Sequence, residues 1–256
     1  MTADRPGPSA DQRLLWYAAY GSNLHLARLT AYLAGGRPLG GAREYPGCRD
    51  PRPPRDSRAI RLPGQLYFAL ESAVWTGGMA FYDPEAAPDA SAGPGTDPGI
   101  DPAAAPAPCG GTAARAYLIT AAQLSDLAAQ EMHRPPGGDL DLRQVLREGR
   151  AVLGPGRYDT LIHPGDLDGR PLLTFTAPWP LAEAPLAPPS ARYLHHLAAG
   201  LREAHGWRTT EIAAYLSSRP GAAGHWSARR LTDLLAQPMP GPTTEPNAGP
   251  TTEPTT

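Results

Sequence analysis

The hydrophobic pattern predicts a short buried strand near the start of the chain, followed at once by a helix. Residues 14–20, LLWYAAY, form a continuous apolar and aromatic run of strand length. Residues 24–36, LHLARLTAYLAGG, carry leucines at an approximately helical spacing, and the two final glycines predict where the helix stops. A Gly-Ser-Asn turn at 21–23 joins the two elements. A buried strand does not itself require this turn, so the turn is a candidate for function.

The rest of the pattern predicts mostly neighbouring strands, with helices set to one side. Strands are predicted at 64–72, 73–83, 112–120, 157–163 and 170–177, and helices at 120–134, 190–206 and 209–218. Gly77 and Gly78 indicate a bulge or a close backbone approach, and Thr120 is the expected N-cap of its helix. This order predicts an α+β fold with a small mixed or antiparallel, β-barrel-like sheet flanked by helices, and not alternating βαβ units.

Proline and glycine are concentrated outside these elements. The chain has 32 prolines, 28 glycines and a hydrophobic fraction of 41%, which differs from an average globular domain. We therefore predict a single domain over residues 13–236, with Pro/Gly-rich insertions at about 84–111 and 135–156 that loop out of it. Residues 1–12 and 237–256 are predicted to be disordered tails, since their few apolar residues cannot offset the entropy of ordering.

Charge and cysteine content exclude several classes of partner. A net charge of −2 does not provide the basic surface that phosphate neutralisation needs, so no nucleic-acid partner is predicted. The locally basic stretch at 49–61 is interpreted as a solvated or substrate-facing loop. All 23 basic residues are arginine, which excludes lysine chemistry, and Cys48 and Cys109 are too few for a zinc quartet. With neither a secretory signal pattern nor a membrane-length apolar run, a cytoplasmic protein without membrane contact is expected.

Four short motifs occur in order near the ends of the predicted elements. They are YGSNL at 20–24, WxGGxA at 75–80, AYLIT followed by LxxLAAQE ending at Glu131, and PPSARY ending at Tyr193. The first motif presents unpaired backbone N–H groups ahead of a helix, which suits a carboxylate or an oxyanion. Together the motifs resemble those of the gamma-glutamylcyclotransferases, over most of the chain from about Leu14 to Arg219.

The resemblance implies the cyclotransferase-like fold and an enzyme that converts a γ-glutamyl-amine or γ-glutamyl peptide into 5-oxoproline and a free amine, with no metal or organic cofactor. In that family the glutamate that matches Glu131 is the acid/base residue, and the tyrosine that matches Tyr193 contacts the substrate. The family's substrate loop is matched by Tyr17, Ala18, Ala19, Tyr20, Gly21, Ser22 and Asn23. The implied partner is a small γ-glutamyl substrate; the leaving amine and the oligomeric state stay open.

The residue types agree with such a reaction. The α-amino group of the substrate must lose a proton and the departing amine must gain one, and a single carboxylate can do both in turn. Because the attack is intramolecular, the main task of the protein is to hold a bent substrate. Two departures from the family pattern are Met132, where glycine is common, and a GRY motif ending at Tyr158 that comes only after the second insertion. Tyr158 is therefore not assigned to the site.

Other functions remain open at this stage. An amide hydrolase or deacetylase-type enzyme could use a metal at Asp159, His163, Asp166 and Asp168, although Asp and Gly are also expected there for turn formation alone. A metal-free hydrolase would use Glu131 to activate water in the same pocket. A non-catalytic small-molecule binding module would keep the anion-binding turn as a sensor.

Overall fold

A computed structural model describes residues 13–37, 44–72, 75–87 and 111–239. The β-strands are β1 Leu14–Ala19, β2 Asp56–Leu62, β3 Gln65–Ser72, β4 Gly77–Asp83, β5 Thr112–Thr120, β6 Arg150–Val152, β7 Thr160–Leu167 and β8 Arg170–Thr176. The α-helices are α1 Leu26–Ala34, α2 Ala121–Glu131, α3 Arg143–Glu148, α4 Ala191–His205, α5 Thr209–Ser217 and α6 Ala228–Leu235. The predicted tail at 1–12, most of the tail at 237–256 and most of the insertion at 84–111 lie outside the described residues.

Six strands form one mixed sheet in the order β2-β5-β1-β8-β7-β6. Neighbouring strands are antiparallel except β1 and β8, which run parallel. Strands β3 and β4 form a separate antiparallel pair, which Thr176 of β8 joins to the larger sheet by bonding both the N–H and the C=O of Tyr82. The prediction of an α+β fold with a mixed sheet is confirmed. In the described part of the chain the six-stranded sheet stays open, because β2 and β6 do not pair with each other.

Strand β1 lies in the middle of this sheet and is buried on both faces. Leu15 and Tyr17 pack with apolar residues of α1 and α2, whereas Trp16 and Ala18 pack with residues of β3, β4 and α4. A strand covered on both sides needs apolar side chains at every position, which explains the continuous run in the sequence. Polar groups can therefore reach solvent only where β1 ends.

Two segments that composition assigned to loops form part of the sheet instead. The prediction of a loop at 49–61 is wrong for the second half of this stretch, because β2 pairs along its length with β5 and buries Ile60 and Leu62. The insertion predicted at 135–156 does not simply loop out, because it forms α3 and the edge strand β6, which pairs with β7. Burial of Val145 and Ala151 anchors this segment on the domain. In both cases a few inward-facing apolar residues outweigh the turn-forming composition around them.

Several local predictions are confirmed. Thr120 caps α2 in a capping box, in which its hydroxyl accepts from Gln123 N–H and the Gln123 side chain accepts from Thr120 N–H. A Cβ on Gly78 would collide with the carbonyl oxygen of Ala187, so the predicted close backbone approach is real. None of the helices within the described residues is long and apolar enough to cross a membrane.

Helix α4 touches the turn after β1 at a glycine. A Cβ on Gly200 would lie 2.5 Å from Leu24 Cβ and 2.7 Å from His25 N, which is closer than these atoms can approach. Only glycine lets the helix backbone come this near, and the contact fixes the position of the turn at the end of β1.

We predict that Gly200→Ala destabilises the protein although alanine favours helix. The added methyl must push the Leu24–His25 backbone away from α4, and we expect a net loss of about 1–2 kcal/mol in the free energy of unfolding, measured by urea denaturation. Gly138→Ala is the matched control, because a Cβ there meets no atom within 4 Å. Equal stabilities of the two variants would contradict this account of the α4 contact.

Candidate active site

A cavity of about 280 Å³ opens where β1 ends, between the following turn, α1, the end of α2, β4 and the start of α4. The described residues that line it are Tyr17, Tyr20, Gly21, Ser22, Asn23, Arg28, Tyr32, Tyr45, Ser72, Trp75, Met79, Ala80, Gln130, Glu131, His133, Arg157, Tyr158, Phe175 and Tyr193. Aromatic rings form much of the wall, and the charged groups stand among them.

The turn after β1 is held in one conformation by contacts from three directions. It forms a short 3₁₀ segment, Ser22–Leu24, that closes with a bond from Leu24 N–H to the Gly21 carbonyl at 3.0 Å. The Ser22 hydroxyl accepts from Arg28 Nε at 2.8 Å, and the Tyr117 hydroxyl donates to the Asn23 carbonyl at 2.9 Å. The position of the Asn23 side chain in the cavity is thereby fixed before any ligand binds.

Glu131, the last residue of α2, brings a carboxylate to this turn. Its Oε1 lies 3.4 Å from Asn23 Nδ2, and the carboxylate also accepts a hydrogen bond from Tyr32. Burial raises the pKa of Glu131 above its ordinary value, although the hydrogen bonds from Tyr32 and Asn23 and the charge of Arg28 act in the opposite direction. A carboxyl group with a raised pKa exchanges protons nearer neutral pH, as general acid/base catalysis requires.

Asn23 has hydrogen-bonding capacity that the protein does not use. Its Nδ2 group lies 3.4 Å from the Tyr17 hydroxyl as well as from Glu131, whereas Oδ1 is buried without a partner among the described residues. A buried acceptor without a donor costs free energy. A ligand N–H group in the cavity would remove this cost.

Two guanidinium groups line the cavity. Arg28 is 5% exposed, and its Nη2 donates to the Tyr45 hydroxyl at 2.8 Å while its Cζ lies 4.7 Å from the Trp75 ring centre. Arg157 is half-buried, with Nη1 at 3.5 Å from Met79 Sδ. The cavity therefore carries more positive than negative charge, which favours an anionic ligand.

Tyr193 and Tyr158 close the cavity on the side of β4. The Tyr193 hydroxyl accepts from Ala80 N–H at 3.3 Å and from the Ser22 N–H, and the Tyr158 hydroxyl donates to the Ala80 carbonyl at 2.9 Å. Burial raises the pKa of Tyr193 to about 12, so its hydroxyl stays protonated at neutral pH and can donate a hydrogen bond. Tyr158, which the sequence left unassigned, is thus a cavity residue.

The predicted site residues do not all reach the cavity. Those that line it are Tyr17, Tyr20, Gly21, Ser22, Asn23, Glu131 and Tyr193. Ala18 and Ala19 do not line it, because both are buried inside β1, where their backbones pair with β5. The roles of the lining residues in binding and catalysis remain predictions.

Arg28 and Tyr32 also line the cavity, although the sequence motifs did not predict them. They stand four residues apart on α1, so they share one face of that helix, and both are buried. An arginine on the buried face of a helix otherwise lined by leucine and alanine is the signal that would have found them.

The residues of the alternative metal site do not converge. Asp159 is buried and pairs with Arg134 at 3.3 Å, His163 pairs with Asp166 at 3.0 Å, and Asp168 lies in the turn between β7 and β8. Within the described ranges, no group of three or more His, Cys, Asp or Glu side chains could hold a metal ion.

Comparison with known proteins gives distant similarities. No protein-family model matches the chain. Histone deacetylase 5 of Arabidopsis thaliana is 28% identical in an alignment of 218 residues, which covers 79% of this chain and 30% of that protein. The chain thus spans less than a third of the relative that it matches.

Two solved structures resemble the fold. An uncharacterized protein from Homo sapiens is 16% identical, with a TM-score of 0.43 over 88% of this chain and 100% of that one. A gamma-glutamyl cyclotransferase is 14% identical, with a TM-score of 0.41 over 88% of this chain and 99% of that one. At this level of similarity neither an activity nor a residue role is carried over to the chain.

The raised pKa of Glu131 predicts a stability effect that does not depend on any activity. Above its pKa the folded protein holds an ionised, partly buried carboxylate, a cost that the isosteric Glu131→Gln variant avoids. We expect this variant to be more stable than the wild type at neutral pH. The difference should shrink as the pH falls through the raised pKa of Glu131 to its ordinary value of 4.5.

The measurement is urea denaturation of both proteins across this pH range. Glu148→Gln is the control, because a hydrogen bond from Arg147 lowers the pKa of the exposed Glu148, and its pH dependence has the opposite sign. A Glu131→Gln variant less stable than the wild type at neutral pH would refute the prediction.

Proposed function

We propose that the protein is a gamma-glutamylcyclotransferase-like enzyme that releases an amine and 5-oxoproline from a γ-glutamyl-amine or γ-glutamyl peptide. One observation carries the proposal. Asn23 of the turn after β1 and Glu131 of α2 are 108 positions apart in the chain, yet Nδ2 and Oε1 lie 3.4 Å apart in one cavity. A fixed turn next to a carboxyl group of raised pKa, with a protonated tyrosine hydroxyl as donor, is what intramolecular acyl transfer needs.

The cavity would hold the substrate in a bent conformation. The glutamyl part lies against the turn, where the hydroxyl of Tyr193, held by the N–H groups of Ala80 and Ser22, donates to the γ-carbonyl oxygen. This oxygen gains negative charge when the carbon becomes tetrahedral, and preformed donors stabilise that charge. Tyr17 and Tyr20 pack beside the carbon chain of the substrate and exclude water.

Glu131 moves the protons. It accepts the proton that the α-amino nitrogen loses as this nitrogen bonds to the γ-carbon. The bond between the γ-carbon and the leaving nitrogen then breaks, and Glu131 returns the proton to that nitrogen. The products are 5-oxoproline and the free amine, and no covalent link to the protein forms.

Amide hydrolysis is the second candidate, favoured by the 28% identity with a protein named as a histone deacetylase. In this case Glu131 would activate a water molecule in the same cavity instead of the substrate's own amine. A γ-glutamyl substrate would then give free glutamate and not 5-oxoproline, so the acyl product separates the two reactions.

We predict that the purified full chain forms 5-oxoproline from at least one member of a panel of γ-glutamyl-amines and γ-glutamyl peptides, in the presence of a chelator. Glu131→Gln should lower the rate by roughly 10²- to 10⁴-fold, the usual contribution of a general acid/base. Mass spectrometry quantifies 5-oxoproline, glutamate and the amine in the same sample.

Glu148→Gln serves as the matched control and should keep the wild-type rate, since Glu148 lies on α3, outside the residues that line the cavity. Release of glutamate without 5-oxoproline would replace cyclisation by hydrolysis. Equal rates for Glu131→Gln and the wild type would remove Glu131 from the mechanism.

A further inference from the structure

Arg28 is a buried cation whose hydrogen-bond partners in the described chain are neutral. Its Nε donates to the Ser22 hydroxyl and its Nη2 to the Tyr45 hydroxyl, each at 2.8 Å. The guanidinium also lies over the Trp75 ring, and only 5% of the residue is exposed. These contacts fix its position without neutralising its charge.

Removal of a charge from water is costly unless an opposite charge and hydrogen bonds compensate for it. Hydroxyl groups and an aromatic face compensate in part, and a carboxylate would do so in full through paired N–H···O bonds. The guanidinium lines the cavity, so this carboxylate can come from a ligand. The preformed position means that little side-chain entropy is lost when the ligand binds.

The groups around Arg28 indicate which second charge the ligand should carry. Arg28 holds Ser22, and the next residue, Asn23, contacts Glu131 at 3.4 Å. Arg28 and Glu131 line the same cavity, and the charge of Arg28 acts on Glu131. The cavity thus presents a cation and an anion together, and Asn23, which contacts the anion, keeps an Oδ1 that has no donor among the described residues.

We propose that Arg28 binds the α-carboxylate of an α-amino-acid head group, while Glu131 and Asn23 Oδ1 face the α-nitrogen of the same head group. A carboxylate and a nitrogen on one carbon atom match a cation and an anion that line one cavity. This inference rests on the proposed function and assigns the recognition of the glutamyl head to a side chain. The Tyr193 hydroxyl is then available for the oxyanion.

The assignment makes the α-carboxylate the group that this site selects. An amide without a free α-carboxylate, such as an acetylated lysine side chain, leaves the buried guanidinium uncompensated. Such a ligand should bind poorly even if the rest of it fits the cavity.

The first experiment needs no variant. Isothermal titration calorimetry compares the binding of L-5-oxoproline and of its neutral carboxamide to the wild-type full chain. We expect the acid to bind roughly 10- to 100-fold more tightly, the effect of one charge-assisted pair. Equal affinities for the acid and the amide would overturn the proposal.

Variants then assign the preference to Arg28. Arg28→Gln should weaken binding of the acid by the same factor and leave binding of the amide nearly unchanged, whereas Arg28→Lys should keep part of the preference. Arg143→Gln is the charge-matched control, because its guanidinium is exposed and pairs with Asp141 on the surface. A folded Arg28→Gln variant that keeps the full preference would refute the assignment.

The binding experiments and the turnover assay test the two proposals separately. Formation of 5-oxoproline by a protein that binds the acid and the amide equally would overturn the role of Arg28 and leave the proposed function intact. A strong, Arg28-dependent preference for the acid without turnover of any γ-glutamyl compound would support the anion site and overturn the cyclotransferase activity.

Discussion

The burial of β1 on both faces is the constraint on which the site depends. A strand packed between two apolar layers cannot carry polar side chains, so the polar chemistry is confined to the point where the strand ends. At that point the backbone leaves the sheet, and its N–H groups lack strand partners. Gly200 lets α4 come close to this turn, and Arg28 holds Ser22 from the other side. The turn is thus a product of the core packing and does not depend on a ligand for its shape.

The same packing makes the charges of the cavity interdependent. Arg28 is buried and Glu131 is partly buried, and the charge of each lowers the free-energy cost of burying the other. Tyr32 donates a hydrogen bond to Glu131, and Tyr45 accepts one from Arg28. These neutral hydroxyl groups stabilise the two charges without neutralising them. A network in which every donor, acceptor and charge has a partner would be stable and would gain nothing from binding a ligand. Among the described residues, this network leaves Arg28 without a hydrogen-bonded carboxylate and Asn23 Oδ1 without a donor, and these are groups that a ligand can satisfy.

The sequence predicted those features that depend on local signals. The apolar run of β1, the capping residue Thr120 and the close approach at Gly78 follow from neighbouring residues alone. The pairing of β2 with β5 could not be predicted in this way, because proline and arginine dominate its surroundings while the burial of Ile60 comes from distant partners. Among the residues that line the cavity, the motifs predicted the turn and Glu131, whose roles remain predictions. Arg28 was missed because its burial and contacts depend on side chains that the fold brings to it.

The second predicted insertion and the loop after it form part of the cavity wall. Strand β6 extends the sheet, and the loop that follows it is folded around Asp159, whose buried carboxylate accepts from Gly156 N–H and pairs with Arg134. This loop carries Arg157 and Tyr158 into the cavity, and Tyr158 is fixed by its bond to Ala80. A wall built on a sheet edge and on the buried Asp159 carboxylate does not need to close on the ligand. A ligand in the cavity therefore meets a preformed surface at Arg157 and Tyr158, and its shape and charge must match that surface.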